Sequence, residues 1–73
     1  MITENDKIAD VLTKYPYLKE KLINRSPKFQ NLNNPIVFRT VGRFARIEDV
    51  AKNTGENLED LLQFLNEQLN EKE

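Results

Sequence analysis

RIEDVAKNTGENLEDLLQFL, residues 46–65, carries two helical periods around one sharp turn. Ile47, Val50 and Ala51 fall at i, i+3 and i+4, and Leu58, Leu61, Leu62 and Leu65 at i, i+3, i+4 and i+7. Each set makes one apolar stripe on a helix. Gly55 between them is placed as the left-handed residue that ends the first helix. Asn57 is placed to cap the second, with Asp60 three residues on in capping-box position. A small residue, Ala51, four positions before Gly55 lets the second helix cross closely, which is the packing of a helix-turn-helix corner. The second helix is a poor reader of DNA, however. It carries Glu56, Glu59, Asp60 and Glu67 with no Lys or Arg until Lys72, and carboxylates in a groove lined by phosphates repel. Specific binding to duplex DNA is not expected.

Toward the N-terminus the same period continues. Ile8, Val11, Leu12 and Tyr15 form a stripe that Asn5 or Asp6 can cap and that Pro16 ends. Pro16 then suits the first turn of a second helix with Leu18, Leu22 and Ile23 inward. Ser26-Pro27 repeats the cap-and-proline signal before Phe29 and Leu32, and Asn34-Pro35 repeats it before Val37, Val41 and Phe44. Ile36, Phe38 and Ala45 widen that last stripe, so this helix reads as central rather than peripheral. Gly42 inside it costs about 1 kcal/mol relative to Ala, which points to close contact with another backbone. Helices are therefore expected near 7–14, 16–24, 27–31, 35–45, 47–54 and 58–70, with fraying over 70–73 and no strand. The fold class is all-α: one compact orthogonal bundle of five or six short helices, ordered from about residue 5 to 70, with a helix-turn-helix-like C-terminal half. The expected core is Ile8, Val11, Leu12, Leu18, Leu22, Phe29, Val37, Val41, Phe44, Val50, Ala51, Leu58, Leu61, Leu62 and Leu65. The six aromatic side chains, Tyr15, Tyr17, Phe29, Phe38, Phe44 and Phe64, read as core rather than as stacking platforms.

At 73 residues the chain makes at most one small domain, and its 38% apolar and 32% charged composition is that of a globular one. The inventory argues against an enzyme. Cys and His are absent, Ser26 is the sole serine, and Gly occurs only at positions 42 and 55. Thiolate chemistry, a Ser-His-Asp arrangement and a glycine-rich phosphate loop are thereby excluded within the chain. Glu67 and Glu71, at i and i+4, are too few for a cation site, so neither metal nor cofactor is expected. The first residues hold no apolar leader and no run approaches a membrane span, so the cytoplasm is the expected compartment.

Net charge is -1, unevenly spread. Residues 14–46 carry Lys14, Lys19, Lys21, Arg25, Lys28, Arg39, Arg43 and Arg46 against Glu20 alone, and the flanking segments are acidic. The simpler reading is that basic and acidic segments attract each other in the fold; the functional one is a basic binding face. Within it Arg39, Arg43 and Arg46, at i, i+4 and i+7, would share one face of the fourth helix. Guanidinium forks suit carboxylate and phosphate, so these three are the candidate binding residues for an anion or an acidic partner.

Several stretches together resemble one known family: Ile8-Ala-Asp-Val-Leu12 with Tyr15-Pro16, Ser26-Pro27-Lys28-Phe29, Leu32-Asn33-Asn34-Pro35, Arg39-Thr40-Val41-Gly42-Arg43, Asp49-Val50-Ala51 and Leu58-Glu59-Asp60-Leu61. Over roughly residues 2–69 the chain is similar to domain-of-unknown-function family 1858, a bacterial family of small all-helical domains. Its members occur alone or linked to hemerythrin-like or hybrid-cluster-associated proteins. The resemblance implies the helical bundle and no established activity. One branch carries a Cys soon after the second helix; here Asn24-Arg25-Ser26-Pro27 stands there, so no thiol-based role carries over.

Two functions fit these observations. One is a non-catalytic interaction or ligand-binding module of a bacterial cytoplasmic protein, with a protein partner engaged near Arg39, Arg43 and Arg46. The other is a nucleic-acid-binding protein using the basic segment 14–46.

Overall fold

Proline and asparagine signals set most of the helix boundaries in the computed structural model, which describes residues 1–72 and the side chains of residues 1–70. The elements are α1 (Ile8–Lys14), α2 (Tyr17–Arg25), a 3₁₀ helix (Pro27–Asn33), α3 (Pro35–Thr40), α4 (Ile47–Thr54) and α5 (Leu58–Lys72). Ser26 Oγ accepts from Lys28 N at 3.3 Å, and Asn34 Oδ1 accepts from Ile36 N and Val37 N at 3.0 and 3.3 Å. Asn57 Oδ1 accepts from Asp60 N at 3.1 Å, and Gly55 ends α4 at φ 74°, a left-handed position that a side chain would strain. The fraying expected over 70–73 is not seen in the backbone as far as Lys72; Glu73 lies outside the described residues.

The chain is an all-α bundle, with a radius of gyration of 11.0 Å. A compact chain of this length should have about 11 Å. α1 packs on α2, α2 and α3 pack on the 3₁₀ helix, and α4 packs on α5. The core gathers Ile8, Val11, Leu12, Leu18, Leu22, Phe29, Ile47, Ala51, Leu61, Leu65 and Leu69, closed by Ile2 and Ala45.

α1 and α4 begin side by side and satisfy each other's ends. Neither Asn5 nor Asp6 caps α1; Asp6 Oδ2 instead accepts from Thr3 N at 2.9 Å. The leading amides of α1 are taken by the segment before α4: Ile8 N donates to Ala45 O at 2.9 Å and Ala9 N to Gly42 O at 3.0 Å. In return Ile47 N donates to Asp6 O at 2.9 Å and Glu48 N to Glu4 O at 3.2 Å. Two helix N-termini thus exchange the orphan N–H groups that every helix start leaves. Around Lys7 and Arg46 this exchange forms an isolated antiparallel bridge, and no strand occurs among the described residues.

That exchange corrects the expected helix over 35–45, which stops at Thr40. In a continuous helix Gly42 O would accept from Arg46 N. Here Gly42 O is engaged by α1, and Arg46 N donates instead to Asp49 Oδ2 at 3.1 Å. Thr40 Oγ1 donates back to Ile36 O at 2.8 Å, a bond that competes with the helical ladder. Residues 41–44 form a turn. The close approach anticipated at Gly42 is real: a Cβ there would run into Phe38 O and touch Ala9 Cβ at 3.5 Å.

The reading of this segment as a central helix is therefore wrong. α3 buries no side chain. Val41 and Phe44, both assigned to the core, are 52% and 78% exposed, and Ile36 is 72% exposed. Val37, Val50, Leu58 and Leu62 are only half-buried. Ile2, Ala45, Ile47 and Leu69 are core residues missing from the expected core, although Ala45, Ile47 and Leu69 lie on apolar stripes of the sequence and only Ile2 had no signal.

Candidate functional site

Arg39, Arg43 and Arg46 do not share a helix face, because the helix that was to carry them ends between the first two. Arg39 lies in the last turn of α3, Arg43 in the 41–44 turn, and Arg46 at the start of α4. All three are exposed, and none is paired with a carboxylate among the described residues. The attraction between basic and acidic segments is carried by another arginine. Arg25 Nε and Nη2 donate to the two Glu56 carboxylate oxygens at 2.9 and 3.2 Å, a bidentate bond across the base of α5. The Arg25 guanidinium also stands 4.7 Å from the Phe64 ring centroid. Its hydrogen bond to Glu56 raises the Arg25 pKa above its ordinary value, so its charge is fixed.

Beside the three arginines lies a groove of about 250 Å³. Ile8, Phe29 and Ala45 belong to the core beneath it; Leu32, Val37, Phe38, Val41 and Val50 are its other large apolar lining. Lys28, Asn31, Asn53 and Thr54 add polar edges, and no carboxylate lines it. Each arginine directly follows a residue of the lining: Phe38, Gly42 and Ala45. The segment 36–46 thus alternates exposed apolar side chains with unpaired cations. The sequence shows the arginines plainly but hides the apolar exposure. The only signal for it was the Thr40–Gly42 pair, where a back-bonding hydroxyl and a glycine stand together in an apparent helix.

The aromatic side chains divide. Phe29 is buried, and Tyr15, Tyr17, Phe38 and Phe64 pack against the core, as expected; Phe44 does not. Tyr15 and Tyr17 meet edge to face at 6.4 Å. Among the described residues no three Asp or Glu side chains gather into a site for a metal ion; the Glu71 side chain lies outside them. No helix of the described residues is long and apolar enough to cross a membrane.

The family model described as a domain of unknown function, DUF1858, matches residues 2–62, from Ile2 in the N-terminal strap that precedes α1 to the second turn of α5. The chain belongs to the DUF1858 family. No curated protein and no solved structure matches it. The DUF1858 match takes in the crossed N-termini of α1 and α4, the groove and all three arginines, and its description assigns them no activity.

Proposed function

We propose that this DUF1858 domain is a non-catalytic interaction module of a bacterial cytoplasmic protein, and that it offers residues 35–46 to a protein partner. One observation carries the reading: Ile36, Val41 and Phe44 stand exposed on the same short segment as three unpaired guanidinium groups. Single apolar side chains scattered on a surface are ordinary, whereas three exposed within nine residues of one segment are a concentration that favours a binding role. Complete burial of each would contribute about 1.5–3 kcal/mol. Aromatic and arginine side chains are the ones that dominate protein interfaces. The helix-turn-helix corner between α4 and α5 favours no DNA role, since Glu59, Asp60 and Glu67 are exposed along α5.

The test is affinity capture from an extract of the source bacterium, with the wild-type chain beside an Arg39→Glu/Arg43→Glu variant. A protein held by the wild type and lost from the variant is the expected result. The same proteins on both baits would contradict the reading. Recovery of nuclease-sensitive nucleic acid would replace it with binding through the basic segment.

A further inference from the structure

We infer that the groove beside α3 takes the apolar face of an acidic amphipathic helix from a different protein. The inference rests on the interaction-module reading and adds the chemistry of the partner. The groove's volume of about 250 Å³ suits about two large apolar side chains, given that about 150 Å³ holds a benzene-sized group. Neighbouring turns of a helix present two such side chains at i and i+4. Phe38 and Val41 stand on the α3 side of the groove and Phe29 and Leu32 on the 3₁₀ side.

The charged residues next to its lining in sequence are mostly basic, Asp49 before Val50 being the acidic exception. Lys28 lines the groove, Arg39, Arg43 and Arg46 each follow a lining residue, and no Asp or Glu is part of the lining. An occupant with carboxylates flanking its apolar stripe would be steered in and held in register; a basic one would be repelled. Lys28 is the sole cation in the lining and the rest of it is mostly apolar, which suits an apolar side chain better than a phosphate backbone. A second copy has no free acidic helix to offer. In α5, the acidic helix of this chain, Leu61, Leu65 and Leu69 are already buried at home.

The experiment is selection from a displayed library of random peptides about 16 residues long, enough for four helical turns. The full chain is the target, and a Val41→Asp variant is the counter-target. Val41 is half-exposed in a turn, so the variant should fold, and circular dichroism checks it. The expected winners carry two large apolar residues at i and i+3 or i+4 and an excess of Asp and Glu. A synthetic winner should lose about tenfold in affinity against Arg39→Glu/Arg43→Glu, and should also weaken as salt is raised. Its binding should disappear against Val41→Asp. Basic or unpatterned winners that still require Val41 would overturn the acidic helix but leave the interaction surface standing. Winners indifferent to both variants, or no winners beside self-association of the chain, would overturn both.

Discussion

Leu65→Ala should lower the free energy of unfolding by about 2–5 kcal/mol, the range for removing a fully buried leucine. Leu65 is 0% exposed at the centre of the α5 stripe, with Leu61 and Leu69 buried one turn to either side. At about 0.05–0.15 kcal/mol per residue, a chain of 73 residues has only about 4–11 kcal/mol in all. The variant should therefore be largely unfolded under mild heating, with its urea midpoint sharply reduced at an unchanged slope. Leu62→Ala, beside it but half-buried, should lose less. A midpoint for Leu65→Ala equal to wild type would mean that α5 does not pack as described.

Asn66→Ala should cost about 1–3 kcal/mol, although it changes an apparently ordinary surface-type residue. Asn66 ties both ends of the chain together. Its Oδ1 accepts from Ile2 N at 2.8 Å, and its Nδ2 donates to Ile2 O and Leu62 O, each at 3.0 Å. Ile2, 4% exposed, is held in the core by that clasp. Without it the strap has two choices. It stays with unpaired backbone groups, or it leaves and surrenders the burial of Ile2, about 1.5–3 kcal/mol. Because both routes pass through the same strap, Ile2→Ala and Asn66→Ala should not add. Their combined cost should fall short of the sum by at least about 0.5 kcal/mol, whereas independent sites add within about 0.3–0.5 kcal/mol. Additive costs in urea unfolding would show that the clasp does not exist.

What was legible in the sequence is what local chemistry decides. Ser26, Asn34, Gly55 and Asn57 announce their caps and turns because each acts on backbone within three residues of itself. α4 falls where its stripe places it. What was not legible depends on groups far apart in the chain. The helix through residues 41–45 is lost because Gly42 O and Ala45 O are claimed by the start of α1, more than thirty residues earlier. Ile2 is core because the two ends of the chain meet. Ile36, Val37, Phe38, Val41 and Phe44 occupy more than one face of any helix drawn through them, so period alone does not say which face turns inward. The arginines of the candidate site were visible for the same reason that their grouping was misread. Their spacing of four and three is helical, and the helix that would align them ends at Thr40.

The account stands on the exposed apolar side chains of residues 36–44 being a docking surface rather than part of the core, and Phe44→Ser tests that in one variant with two readouts. Phe44 is 78% exposed, so the substitution should leave the free energy of urea unfolding within about 0.5 kcal/mol of wild type, as changes at open surface do. The same variant should no longer retain the protein captured by the wild-type chain. An unfolding free energy lowered by about 2 kcal/mol or more, or undiminished capture, would contradict it.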